Sequence, residues 1–269
     1  MLALVGCAPQ GQMSTKDGDA MEEKTPGETT SAGEGRAVFT ITDAAADMGA
    51  VTSVKVTVDS VSVHSAEKGW VKVASPAKTY DLLKLKAEGS QELLADVKLD
   101  ADTYQQVRLD ISKVVVTDAE GDHEAKLPSG ELKIVGDLTV KEESTSTATF
   151  DFIADRSLHV TGNGEYILAP VVRFETKEDA DVAVEATGKV KVSGGRVKAN
   201  VEVGMDETGN VGVGLRLGQD AVLSIESGKI KIGALVSSGA KTNASSEAKE
   251  KSGSSASIDV DVGANVSAS

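Results

Sequence analysis

The stretch Val54-Lys55-Val56-Thr57-Val58-Asp59-Ser60-Val61-Ser62-Val63-His64 decides the fold. Valine occupies every second position in its first half, and this period of two predicts a half-buried β-strand. Val61 and Val63 continue the alternation in the opposite phase. We therefore predict a bulge or bend at Asp59-Ser60, where the exposed face of the strand changes sides.

Alternation of the same kind recurs along the chain and predicts several more strands. It is found at residues 36–42, 70–73, 107–111, 132–140, 147–152 and 166–174. Residues 80–99 differ because they are rich in unevenly spaced leucines, so we predict a short helical or looped excursion there. Many short strands joined by Gly- and Asp-rich turns are typical of an all-β, Ig-like antiparallel sandwich.

The aromatic residues mark the extent of the globular domain. The chain has four Phe, three Tyr and one Trp among 269 residues, and all of them lie between Phe39 and Phe174. All three histidines fall in the same window, and no proline follows Pro170. This compositional edge predicts that residues 36–176 form the sandwich domain.

The segments on either side have different compositions. Residues 8–35 are polar and cannot bury enough apolar surface to offset their ordering entropy, so we expect a flexible linker. Residues 177–236 alternate Val with Lys, Glu and Gly and predict a β-rich extension that is ordered only by packing on the sandwich or on a partner. Residues 237–269 are rich in Ser and Ala and are expected to be mostly disordered, although Ile258, Val260 and Val262 could add one strand.

The net charge limits the class of partner. The chain has 28 basic and 42 acidic side chains, giving a formal charge of −14. An acidic surface of this kind repels phosphate backbones, which argues against binding to nucleic acid. It also argues against electrostatic adhesion to anionic lipid. The single cysteine, Cys7, excludes an internal disulfide.

The amino terminus carries a recognisable motif. Leu4-Val5-Gly6-Cys7 resembles the lipobox of bacterial lipoprotein signal peptides, which implies that Cys7 receives a lipid and that the chain is cut just before it. Residues 1–7 are too short for a complete signal peptide, so we expect a longer precursor. The alternative is a frayed cytosolic terminus with a free thiol. Lipidation of Cys7 predicts an extracytoplasmic protein that is anchored to the cell membrane.

Residues within the sandwich window resemble the domain of unknown function 4382 family of bacterial and archaeal surface lipoproteins. The resemblance rests on motifs whose order and spacing agree with the family: Thr42-Asp43-Ala44-Ala45, Val54 to His64, Trp70, Asp81-Leu82-Leu83-Lys84-Leu85, Tyr104-Gln105-Gln106-Val107-Arg108-Leu109, Leu127-Pro128-Ser129-Gly130 and Ala169-Pro170-Val171-Val172. The family usually has proline where this chain has Ala45. The resemblance implies a sandwich that is Ig-like or transthyretin-like, and no established activity.

Candidate sites for chemistry are few. The three histidines are far apart in sequence, and neither a nucleophile elbow nor a P-loop is present, so we predict no enzymatic activity and no cofactor. Acidic side chains at alternate positions on a turn, Asp118, Glu120, Asp122 and Glu124, could hold a hard cation such as calcium. The alternative is an acidic hairpin tip in which Asp and Gly make the turn. Asp43 is expected to cap a turn by accepting bonds from backbone amides.

Two aromatic residues are candidates for ligand binding. Trp70 and Tyr104 could stack on a sugar if exposed, although aromatic side chains more often belong to the core. We therefore expect a lipid-anchored surface protein with a binding or structural role, whose partner is a surface protein or a glycan. The alternatives are a carbohydrate- or calcium-binding module and a hydrolase with an unrecognised carboxylate pair.

Overall fold

The structure is a computed structural model and describes residues 33–74, 77–218 and 221–233. The predictions for Cys7, for nearly all of the linker at 8–35 and for the tail at 237–269, including Ile258 to Val262, lie outside these residues. No helix in the described part is long and apolar enough to cross a membrane.

The described part of the chain is built from sixteen strands and two short helices. In chain order they are β1 (Glu34–Asp43), β2 (Ser53–Ser65), β3 (Gly69–Ala74), β4 (Lys78–Asp81), α1 (Leu82–Glu88), β5 (Gln91–Asp100), β6 (Asp102–Asp118), β7 (Gly121–Glu124), β8 (Glu131–Val140), β9 (Thr145–Phe152), α2 (Ala154–Ser157), β10 (Leu158–Val160), β11 (Tyr166–Leu168), β12 (Val171–Val184), β13 (Lys189–Met205), β14 (Val211–Gly212), β15 (Val222–Glu226) and β16 (Lys229–Gly233).

The first large sheet has the strand order β12-β9-β1-β5-β13-β14. β1 pairs with β9 in parallel, whereas its other neighbour, β5, is antiparallel. β13 pairs with β12 along most of its length and with β5 at Lys189 and Val190. The hydrogen-bonded order therefore returns to its starting strand, which leaves the long β12 with a partner on each side.

The second large sheet is centred on β2 and β6, which pair antiparallel. β3 and β4 pair in turn with the other edge of β2, and β8 and β7 pair with the other edge of β6. Asp59 has no partner in the β2–β6 register, and neither does Ser112 opposite it. The bulge predicted at Asp59-Ser60 is confirmed, and it keeps the valines on both sides of it buried.

One hydrophobic core lies between the two large sheets. Phe150 and Phe174 meet at a ring-centre distance of 5.2 Å, and both are fully buried. Side chains from β2, β6 and β8 complete the same core: Val56, Val61, Leu109, Leu132 and Ile134. The all-β sandwich predicted from the alternation is confirmed.

Only the first part of the leucine-rich excursion predicted at residues 80–99 is helical, as α1, whereas residues 91–99 belong to the strand β5. Asp81 caps the first turn of α1 by accepting the Lys84 N–H at 3.3 Å, and Gly89 ends it in a left-handed conformation with φ 56°. Leu82 and Leu85 are buried against the core. Glycine suits the terminal position because a side chain there would be strained.

The β12–β13 hairpin extends the sandwich beyond its aromatic part. β12 runs through residue 176, so the edge of the aromatic window lies inside a strand. The sequences Gly188-Lys189 and Gly228-Lys229 have the same structural role, because each opens the returning strand of a hairpin. Both glycines have positive φ, 85° and 76°, as the turns require.

Candidate functional site

The outer face of the second sheet carries three cross-strand rows of side chains, which run over β3, β2, β6 and β8. The aromatic row consists of Trp70, His64, Gln106 and Val135. The basic row beside it consists of Lys72, Ser62, Arg108 and Lys133. The acidic row, on the far side of the basic row, consists of Ser60, Asp110 and Glu131.

The indole of Trp70 packs against other side chains of this face. Its ring centre is 4.6 Å from the guanidinium carbon of Arg108, although β2 lies between the two parent strands. Neighbouring strands are about 4.8 Å apart, so the side chains of Trp70 and Arg108 together span β2. Ser62 lies under this span and is only 4 % exposed despite facing outward. Trp70 as a whole remains 38 % exposed.

Two further side chains border the indole. The His64 ring meets it at a ring-centre distance of 5.1 Å with an interplanar angle of 61°. The Lys133 ammonium lies 5.8 Å from the indole centre. Cations near an indole face are attracted by the ring quadrupole. We name the set of Trp70, His64, Arg108 and Lys133 the Trp70 platform.

The polar groups of the platform are incompletely paired. Arg108 is 3.5 Å from both Asp110 and Glu131, which is longer than the ~2.7–2.9 Å of a strong charge-assisted hydrogen bond. Nε of Arg108 and Nδ1 of His64 are buried and have no hydrogen-bond partner among the described residues. Buried donors and acceptors in proteins are usually paired, so these two atoms are exceptions to the rule.

The structure corrects the prediction that Tyr104 could stack on a sugar. Its side chain is 1 % exposed, lies in the core and donates a hydrogen bond from its hydroxyl to the Asp100 carbonyl at 3.2 Å. Burial raises the pKa of Tyr104 to about 12. The register is irregular between Tyr104 and Gln106, and this irregularity turns Tyr104 inward although counting back from Val107 places it outside. Tyr104 therefore cannot stack on a ligand.

The acidic turn predicted as a cation site is held by hydrogen bonds within the protein. Asp118 accepts the Glu120 N–H at 2.8 Å and the Tyr166 hydroxyl at 2.7 Å, while Asp122 accepts the Thr117 hydroxyl at 2.6 Å. Glu124 lies 3.7 Å from the Lys113 ammonium. Within the described ranges no group of three or more His, Cys, Asp or Glu side chains is placed to hold a metal ion. The hairpin-tip alternative describes this turn.

A polar cleft of about 630 Å³ opens beside this turn and was not anticipated from the sequence. His123, on its wall, has Nε2 3.0 Å from Asp118 and its ring centre 5.6 Å from that of Tyr166. The hydrogen bond from Tyr166 is the largest cause that lowers the pKa of Asp118 to about 2. The carboxylate is therefore ionised and fixes both rings, which come from segments far apart in sequence.

The buried Asp43 and the half-buried Asp151 lie at neighbouring positions near the ends of β1 and β9. Asp43 accepts N–H bonds from Ala45 at 3.2 Å and Ala154 at 3.1 Å, so its predicted capping role is confirmed. Burial raises the pKa of Asp43 to about 6, and burial also raises the pKa of Asp151. Asp43 joins the end of β1 to α2, which explains why a carboxyl group occupies this buried position.

Comparison with known proteins gives one result. A family model described as "Domain of unknown function (DUF4382)" matches residues 34–170, about half of the chain. This match confirms the resemblance seen in the sequence motifs. No curated protein and no solved structure matches the chain.

Proposed function

The chain belongs to the DUF4382 family, and on this premise we propose that it is a lipid-anchored, extracytoplasmic binding module that holds a glycan chain on the Trp70 platform. The observation that carries the proposal is the indole of Trp70, which packs against Arg108 on a regular sheet face and remains 38 % exposed. A rigid aromatic ring of this kind offers an apolar surface to the C–H face of a sugar, and its loss of entropy on binding is small.

The sheet holds the residues of the Trp70 platform at fixed positions relative to one another. Trp70, His64, Arg108 and Lys133 stand on four hydrogen-bonded strands, so their spacing is fixed by the backbone register. A site on regular elements is more precise than one on loops.

The proposed location rests on the lipobox-like Leu4-Val5-Gly6-Cys7. Two or more acyl chains on one cysteine give durable anchoring, because each buried methylene contributes ~0.8 kcal/mol. The net charge of −14 suits a protein that must stay soluble outside the membrane and repels nucleic acid. A linker before β1 would hold the sandwich away from the lipid surface.

The test is calorimetric titration of the full-length protein with a panel of neutral and acidic hexasaccharides. We expect binding to at least one, weakened about tenfold or more by Trp70→Ala, as for an aromatic anchor at a binding hot spot. Val213→Ala is the matched control, since Val213 is 78 % exposed and lies outside the platform. Unchanged affinity in Trp70→Ala, or no binding to the panel, would sink the proposal.

A further inference from the structure

The three rows on the outer face give the Trp70 platform a directional charge pattern. A ligand stacked on Trp70 has the basic row directly beside it, and the acidic row lies one step further along the strands. Lys72, Arg108 and Lys133 stand in one line over four strands, so the line extends about 14 Å at ~4.8 Å per strand. This local excess of positive charge occurs on a chain whose net charge is −14.

The cations of the basic row are only partly neutralised from the acidic side. Lys133 lies 3.3 Å from Glu131, and Arg108 has its two acidic contacts at 3.5 Å. Lys72 has no ion pair among the described residues. Arg108 and Lys133 are also direct cross-strand neighbours, an arrangement that is destabilising for like charges. An anion placed over the row would relieve this repulsion.

Resting on the proposed function, we infer that the glycan bound by the Trp70 platform is acidic, with a uronate carboxylate seated on the basic row. The sugar ring lies on the indole of Trp70, and the carboxylate accepts hydrogen bonds from Arg108 and the neighbouring lysines. Guanidinium groups suit this task because their planar fork matches a carboxylate in two parallel bonds. The rim ammonium groups of Lys72 and Lys133 steer the anion and fix its register.

A nucleic acid is a poorer occupant of the same face. Its phosphates repeat along the whole chain and would have to pass the acidic row and the rest of a strongly acidic surface. A uronate chain that binds along the aromatic and basic rows avoids Asp110 and Glu131. The order of the rows therefore favours a ligand with its acid groups on one side of a stacked ring.

The experiment compares two forms of one ligand, hexagalacturonate and its methyl ester, by calorimetric titration of the full-length chain. The esters keep the sugar backbone and remove the negative charge. We expect the acid to bind about tenfold more tightly than the ester, and this preference to shrink as NaCl is raised from about 0.05 to 0.5 M. Trp70→Ala should weaken both.

A double variant, Lys72→Gln with Lys133→Gln, removes two exposed charges from the basic row. We expect it to lose about five- to tenfold in affinity for the acid and distinctly less for the ester, so that the preference for the acid shrinks. The control is Lys191→Gln with Lys231→Gln, two exposed lysines outside the platform whose removal should change neither affinity. Equal binding of acid and ester, with Trp70 still required, would overturn the acidic-ligand inference and leave the proposed function standing. Binding that does not depend on Trp70 would overturn both, whereas no binding of either form would overturn the acidic-ligand inference alone.

Discussion

The phenol hydroxyl of Tyr166 donates a hydrogen bond to Oδ2 of Asp118 at 2.7 Å, joining β11 to the end of β6 across 48 positions of sequence. The same carboxylate is 3.0 Å from Nε2 of His123. One ionised side chain thus ties the acidic hairpin tip to the strand that forms the other wall of the cleft.

Removing the hydroxyl should release the Asp118 carboxylate. In Tyr166→Phe we expect the pKa of Asp118 to rise from about 2 towards its ordinary value, because the bond from Tyr166 is the largest cause of the depression. Carboxyl-carbon NMR during an acid titration measures this directly. His123→Gln is the comparison and should produce a smaller rise, since His123 contributes less. A pKa that stays near 2 in Tyr166→Phe would contradict the assignment.

The raised pKa of Asp43 predicts that the stability of the folded protein depends on pH. Its pKa is about 6 in the folded protein, above the unfolded value of ~3.9, so between these pH values the folded state binds more protons. Stability from this group therefore falls as pH rises from about 4 to 6, by roughly 1–3 kcal/mol. The Asp118 and Glu178 carboxyl groups have lowered pKa values and act in the opposite direction at lower pH.

The difference between the wild type and Asp43→Asn isolates the Asp43 contribution. The amide oxygen of the variant can still accept the N–H groups of Ala45 and Ala154 but does not titrate. Urea unfolding at pH 4.5 and pH 7.5 should show the variant gaining stability relative to the wild type at the higher pH. Parallel pH profiles for the two proteins would argue against a raised pKa at Asp43.

Cutting the chain at Thr176 should abolish cooperative folding. The cut removes half of β12 and all of β13, together with the buried side chains of Val203, Met205 and Leu217. Burial of three such side chains contributes about 5–9 kcal/mol, which is comparable with the whole net stability of ~5–15 kcal/mol. A chain ending at residue 233 is the control, and differential scanning calorimetry is the measurement. A cooperative transition in the shorter chain would show that the aromatic window folds alone.

Membrane attachment is predicted to depend on Cys7. In the native host, Cys7→Ser should move the protein from the membrane fraction to the soluble extracytoplasmic fraction, since no lipid can be attached to a serine hydroxyl by this route. The intact mass of the mature wild type should show a chain that starts at Cys7 and carries acyl groups. An unmodified Cys7 thiol would remove the anchor from the proposed function.

The strands and the core could be predicted from the sequence because both depend on local alternation. The reversed phase at Asp59-Ser60 is visible in the order of the valines, and the leucines of α1 break the strand pattern. The sequence does not decide whether Tyr104 lies in the core or on the surface, because the irregularity beside it depends on pairing with β8.

The functional face could not be derived in the same way. Trp70 and His64 are close in sequence, but Arg108 and Lys133 join them only through the β2–β6 and β6–β8 registers. A shift of one residue in either register would turn these cations to the opposite face, and the sequence alone does not fix that register. The same holds for Tyr166 and Asp118, whose segments meet only in the folded chain.

Trp70 is the only tryptophan in the chain, so its fluorescence reports on the platform alone. The most direct test of a binding role is therefore the emission of the full-length protein during titration with hexagalacturonate, with iodide quenching measured at each point. We predict a saturable change in emission and a matching loss of quenching, because a stacked sugar covers the exposed face of the indole. Emission and quenching that stay constant up to millimolar ligand would contradict the proposal that this face binds an acidic glycan.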